Sequence, residues 1–85
     1  MKIKVLFFAN FRELLDCESL EVELPKESSV GDLCQYLSTK GEHWLPLFCE
    51  ARTSVKIAIN QEMAMYESPL HQNDEVAFFP PVTGG

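Results

Sequence analysis

The chemistry this chain can offer is concentrated in its last six residues, Pro80-Pro81-Val82-Thr83-Gly84-Gly85. A carboxylate on two residues without side chains, pushed clear of the fold by a diproline, suits reactions performed on the carboxylate itself. Glycine has no Cβ, so such a tail threads a channel too narrow for other residues and takes backbone angles closed to them. A carboxylate is still a poor electrophile, because its charge is delocalised and it holds no good leaving group. Gly85 is therefore expected to need conversion to an activated acyl species, for instance a glycyl adenylate made with ATP. A sulfur donor that displaces the nucleotide leaves a thiocarboxylate, and an amine leaves an isopeptide; both routes split a hard step into two. The thiocarboxylate is the better nucleophile, since sulfur is soft and ionised at neutral pH, as in a thiolate.

Delivery into a deep site is within reach of this tail. Fully extended, Pro80 to Gly85 spans ~20 Å at ~3.3 Å per residue. The Pro80-Pro81 pair favours a stiff, extended start and lowers the entropy lost on insertion. The expected division is a folded domain over residues 1–79 and a reactive tail over residues 80–85.

Elsewhere the catalytic residue types are scattered. Cys17, Cys34 and Cys49 form no CxxC pair and no zinc-ligand spacing with His43 and His71, so no metal site is expected. Free thiols fit a reducing compartment. Cys34 lies on the apolar stripe of a predicted helix, where a buried, inert thiol is expected. There is no glycine-rich phosphate loop, and Gly31 and Gly41 have helix-end explanations. The activating and acceptor enzymes must be other proteins.

Size and charge narrow the partners. Eighty-five residues, 46% of them apolar, make one globular domain. The net charge is −6 with only seven lysines and arginines, which argues against nucleic acid. An acidic surface favours a basic protein partner, by steering more than by affinity. No apolar stretch approaches the ~20 residues that span a bilayer. The opening Met1 to Ala9 is too short for a signal peptide and is followed by Asn10, Arg12 and Glu13, so a cytoplasmic protein without membrane contact is expected.

The elements that must position the tail follow from hydrophobic periodicity. Lys2 to Ala9 reads as a strand apolar on both parities, with Ile3, Val5 and Phe7 on one face and Leu6 and Phe8 on the other. Asn10 opens a short helix with Glu13 three residues on, in a capping-box arrangement, and Phe11, Leu14 and Leu15 form its apolar side. Leu20, Val22 and Leu24 alternate with Glu21 and Glu23 in a half-exposed strand that ends at Pro25. Ser29-Val30-Gly31-Asp32 opens the main helix with an N-cap and an early acid. Val30, Leu33, Cys34 and Leu37 form its core-facing stripe, and Gly41 is expected as its C′ residue. Glu42 to Glu50 predicts a short irregular helical segment around Pro46. Val55, Ile57 and Ile59 predict a strand, Asn60-Gln61 a tight turn, and Glu62 to Met65 a short return strand. Asp74 to Phe79 is the final strand, with Val76 and Phe78 one way and Ala77 and Phe79 the other.

The order is ββαββ with a short helical piece between the first two strands. The first and last strands are the two that are apolar on both faces. The economical solution sets them side by side and parallel in the centre of one mixed sheet, with the main helix over one face. That arrangement is the ubiquitin-like β-grasp, an α+β fold. Parity then sends Leu6, Phe8, Ala77 and Phe79 to the uncovered face, with Phe8 and Phe79 on adjacent strands and Met63 extending the patch from the hairpin. An exposed aromatic patch just upstream of a reactive tail is a candidate docking surface. The segment Glu42 to Glu50 is the alternative cover for this face.

These residues resemble a known family. Lys4-Val5-Leu6-Phe7-Phe8-Ala9, followed by Arg12-Glu13-Leu14, looks like the first strand and helix of the small, sulfur-carrier subunit of molybdopterin synthase. Asp74 to Gly85 looks like the C-terminal signature of that family almost in full. The likeness is strong at both ends and around Asn60-Gln61, and weak from Cys17 to Thr53. It implies that an E1-like, ATP-dependent adenylyltransferase activates Gly85, with no cofactor held stably by the chain, and that a sulfur donor enzyme follows. It implies that the tail enters a large subunit, in a heterotetramer of two small and two large subunits. There it supplies sulfur to cyclic pyranopterin monophosphate for the dithiolene of molybdopterin. Phe8, Met63 and Phe79 fall where the family's hydrophobic partner surface lies. On this likeness the chain is a non-catalytic carrier. The alternatives are a thiamine-pathway sulfur carrier, a ubiquitin-like protein modifier and an interaction module with an inert tail.

Overall fold

The computed structural model describes residues 1–8, 10–41 and 56–79. Their order is β1 (Lys2–Phe7), α1 (Asn10–Leu15), β2 (Ser19–Glu23), α2 (Val30–Ser38), β3 (Lys56–Ile59), β4 (Glu62–Ala64) and β5 (Glu75–Phe79). One five-stranded sheet runs β2-β1-β5-β3-β4. The first and last strands are parallel neighbours, with Val5 beside Val76 and Phe7 beside Phe78, and the other pairings are antiparallel. This is the expected mixed sheet of the β-grasp.

Three expectations change in detail. The first strand stops at Phe7 instead of Ala9, while the short helix begins at Asn10 as expected. The return arm of the hairpin is a full member of the sheet, which makes the order ββαβββ. Gly41 is not the C′ residue of the main helix. Helix α2 ends at Ser38 with Thr39 as its C-cap, at φ −89° and ψ −3°. The Thr39 hydroxyl donates to the Tyr36 carbonyl over 2.6 Å, and the Lys40 N–H donates to the Leu37 carbonyl over 3.1 Å. These short-range bonds satisfy the last carbonyls without a left-handed glycine. The segment Glu42 to Glu50 and the start of the predicted Val55 strand lie outside the described residues.

The core sits between the sheet and α2. Ile3, Val5 and Phe7 from β1, Ile57 from β3, and Val76 and Phe78 from β5 meet the Val30, Leu33, Cys34 and Leu37 stripe of the helix. Strict alternation in the strands and the i, i+3, i+4, i+7 spacing in the helix produce these two surfaces. Cys34 is buried as its stripe position demands.

The start of α2 is fixed from two sides. Ser29 and Asp32 form a capping box, in which the Ser29 N–H donates to Asp32 Oδ2 over 2.9 Å and Ser29 Oγ accepts from the Asp32 N–H. The next N–H groups, of Val30 and Gly31, donate to the carbonyls of Ser68 and Tyr66 over 3.0 and 2.8 Å. The loop that leads into β5 is thereby tied to the helix. A Cβ at Gly31 would stand 3.3 Å from the Tyr66 oxygen, which explains a small residue at this close approach.

Candidate functional site

The face of the sheet turned away from α2 carries the candidate site, because the strands that send one parity to the helix send the other to the opposite face. The parallel register sets Phe7 beside Phe78, and the Phe8 N–H donates to the Phe78 carbonyl over 3.3 Å. Phe8 and Phe79 therefore meet on the outside. Their rings stack at 4.9 Å between centroids and 9° between planes. Directly beneath, Phe7 and Phe78 stack at 6.1 Å and 18° inside the core. Two adjacent strands thus hold one buried aromatic pair and one surface pair, a step apart in sequence. Phe8 is 41% exposed, and Leu6, Ala77 and Phe79 are half-buried.

Met63 lies on this face two strands from β5. The register runs Leu6, Ala77, Ala58 and Met63 across β1, β5, β3 and β4. Two strand spacings, ~10 Å, separate Met63 from β5. Of the three expected docking residues, the structure brings Phe8 and Phe79 into contact and sets Met63 across a floor of small side chains. Met63 is 71% exposed.

Charge divides the same face. Lys4 stands in register with Glu21 on one side and Glu75 on the other, and Lys2 approaches Glu21 at 3.8 Å. The apolar half lies at the opposite end, where β5 finishes at Phe79 and the tail follows. Gly85 and the insertion residues Pro80, Pro81, Val82, Thr83 and Gly84 lie outside the described residues, as do Cys49 and His43. Cys17 is a half-buried free thiol that donates to the Ser19 carbonyl over 3.4 Å. Among the described residues no three His, Cys, Asp or Glu side chains lie close enough together to hold a metal ion.

Three exposed side chains escaped the periodicity argument. Lys56 stands opposite Phe79 in the β3–β5 register. Met65 follows β4 and is 69% exposed, and Tyr36 projects from α2 with the Lys40 ammonium 5.6 Å from its ring centroid. The signal for Lys56 was present, since it shares its parity with Ala58 on a strand whose other parity, Ile57, is buried.

The Phe8–Phe79 stack lies at the end of β5, the last strand of the sheet in sequence order. The family model that matches residues 5–85 of the chain is that of the ThiS family. The chain belongs to the ThiS family. It is 40% identical over 85 residues to the molybdopterin synthase sulfur carrier subunit of Escherichia coli (strain K12), with 98% of this chain and 99% of that one covered. It is 36% identical over 83 residues to the subunit of the same name from Haemophilus influenzae, again with 98% and 99% covered. Among solved structures it resembles SAMP1 from Haloferax volcanii, with a TM-score of 0.79 and 26% identity over the whole of both chains. The kinship with molybdopterin synthase sulfur carrier subunits, expected over the whole chain and most strongly at its two ends, is shown over its full length. So is the β-grasp of this ThiS family member.

Proposed function

We propose that this chain is the sulfur carrier of a molybdopterin synthase, with Gly85 as the atom-carrying residue. The observation that carries the reading is the full-length 40% identity to a molybdopterin synthase sulfur carrier subunit. The stacked Phe8–Phe79 pair at the root of the tail adds to it, since this is what a docking carrier needs.

In this reading the chemistry takes three steps. The Gly85 carboxylate attacks ATP in an adenylyltransferase, forming the acyl adenylate and releasing pyrophosphate. Sulfide-level sulfur delivered by a donor enzyme attacks the acyl carbon, AMP leaves, and the thiocarboxylate remains, so activation precedes a displacement that the free carboxylate cannot undergo. The sheet face then docks on the large subunit, and the tail carries the thiocarboxylate to cyclic pyranopterin monophosphate. A dithiolene holds two sulfurs, so two thiocarboxylated carriers are discharged per molybdopterin, and hydrolysis of each acyl C–S bond returns Gly85 to the carboxylate. The carrier itself supplies no acid or base; its part is to position the nucleophile. Phe8, Met63 and Phe79 form the docking surface, and residues 80–84 occupy the entry channel. The carrier operates in the cytoplasm, in an assembly of two small and two large subunits.

Intact mass after incubation with the organism's activating enzyme, ATP and a sulfide source tests this, with a chain lacking Gly85 as control. The expected result is a gain of one oxygen-for-sulfur exchange in the full chain alone. No gain, with the enzyme shown active on another carrier, would overturn the sulfur reading. Amide-linked conjugates to lysines in place of the thiocarboxylate would make the chain a protein modifier. Transfer to a thiamine precursor, and not to the pterin, would assign it to that pathway.

A further inference from the structure

The outer face carries one charge that its own sheet does not answer. Lys2 and Lys4 on β1 and Lys56 on β3 share this face by parity. Lys2 and Lys4 have glutamates in register or within 4 Å, as described above. Lys56 stands opposite Phe79 instead, is exposed, and takes part in no ion pair among the described residues. It therefore sits in the apolar half, beside the Phe8–Phe79 stack and at the level where β5 gives way to the tail.

The β3–β4 ladder covers Ile57 to Ile59, so Lys56 stands just before it and is paired only with Phe79 of β5. A partner that covers the stack must also approach Lys56. The ammonium then loses water, which is unfavourable unless an anion meets it. Its aliphatic stem can lie along the apolar surface while only the head needs an answer.

We infer that Lys56 is a specificity-determining residue of the docking face, and that the large subunit presents a carboxylate to its ammonium beside the site that receives Phe8 and Phe79. This rests on the docking reading proposed above. In a chain of net charge −6, one cation placed within the contact fixes orientation. A carrier lacking it leaves the partner's carboxylate buried without a counter-ion and is rejected.

The test is the dissociation constant for the molybdopterin synthase large subunit of the same organism, measured by calorimetry at low and high salt. Lys56→Met keeps the stem and removes the charge; Lys56→Glu reverses it. Circular dichroism confirms that both variants fold, as expected for an exposed position. The expected result is a loss of about tenfold or more for Lys56→Met and a larger loss for Lys56→Glu. The gap between wild type and variants should narrow at high salt. Replacing the facing carboxylate by lysine on the large subunit should restore binding of Lys56→Glu. Lys56→Met binding as tightly as wild type, or more tightly, would overturn the inference while leaving the docking reading intact. Absence of binding by the wild-type chain would overturn both.

Discussion

The side-chain amide of Asn60 donates to Asp74 Oδ1 over 2.9 Å, and its carbonyl accepts from the Glu75 N–H over 3.0 Å. The Asn60 backbone N–H closes the contact by donating to the Glu75 carbonyl over 2.8 Å. The second oxygen of Asp74 accepts from the His71 N–H over 2.8 Å, and its main-chain carbonyl accepts from the Lys4 N–H over 2.9 Å. Two residues therefore join the β3–β4 turn, the entrance of β5 and β1. The stack of Phe8 and Phe79 lies at the other end of β5, ~15 Å away at ~3.3 Å per residue. Holding the entrance of the strand helps to set where its exit, and hence the tail, leaves the sheet.

Removing this clamp should cost stability. Asp74 is only 8% exposed, so Asn60→Ala leaves a nearly buried carboxylate oxygen without its donor. Hydrogen bonds to charged groups contribute about 1.5–3 kcal/mol. Alanine is also a poor occupant of the φ of 50° at this position. The expected loss is about 2–3 kcal/mol, read from urea unfolding. Asp74→Ala should cost a similar amount, and the double variant less than the two together, because they remove one shared interaction. Strictly additive losses would show that the two side chains are not coupled.

The adjoining turn offers a gain instead. Asn60 and Gln61 have φ of 50° and 72°, the left-handed pair of a type I′ hairpin whose twist matches the sheet. Asparagine tolerates this region; glutamine occupies it under strain. Gln61→Gly should raise stability by about 0.5–1 kcal/mol, the relief of strain exceeding the added freedom of the unfolded chain. In a domain of this size that is a rise of several degrees in the thermal midpoint. An unchanged or lower midpoint would mean that Gln61 contributes contacts that outweigh its backbone cost.

The parts of this molecule that sequence made legible are those where one physical demand dominates. Strands β1 and β5 carry apolar residues on both parities, which forces them to the sheet centre and puts Phe8 beside Phe79. The Ser29–Asp32 cap is local chemistry within four residues, and it appears as expected. The end of α2 was misplaced because Gly41 is a visible stop signal, whereas the Thr39 hydroxyl bond to Tyr36 depends on a rotamer that no pattern displays. Lys56 was passed over because alternation treats any charge on an outward position as solvation. Its significance comes from register, which sets Phe79 and not a glutamate beside it. The reactive end of the chain, Pro80 to Gly85, was read from residue chemistry, and the described structure supplies only its root.

The two neighbouring phenylalanines of β5 should separate stability from docking. Phe78 is fully buried against α2 and stacks on Phe7, whereas Phe79 faces outward and stacks on Phe8. Phe78→Ala opens a cavity and should cost about 3–5 kcal/mol, a large share of the ~5–15 kcal/mol that holds a domain folded. Phe79→Ala loses one surface stack, about 0.5–1.5 kcal/mol, and leaves the core packed. The order reverses for the large subunit. There Phe79→Ala should weaken binding by about tenfold or more, because a truncated aromatic anchor leaves its pocket unfilled. Urea unfolding and calorimetric titration on the same two variants give both readouts. If Phe79→Ala binds as wild type does, the outer face is not the contact, whatever the stability values show. If it unfolds as readily as Phe78→Ala, the outer stack contributes to folding as much as the inner one, and the division of labour between the two faces fails.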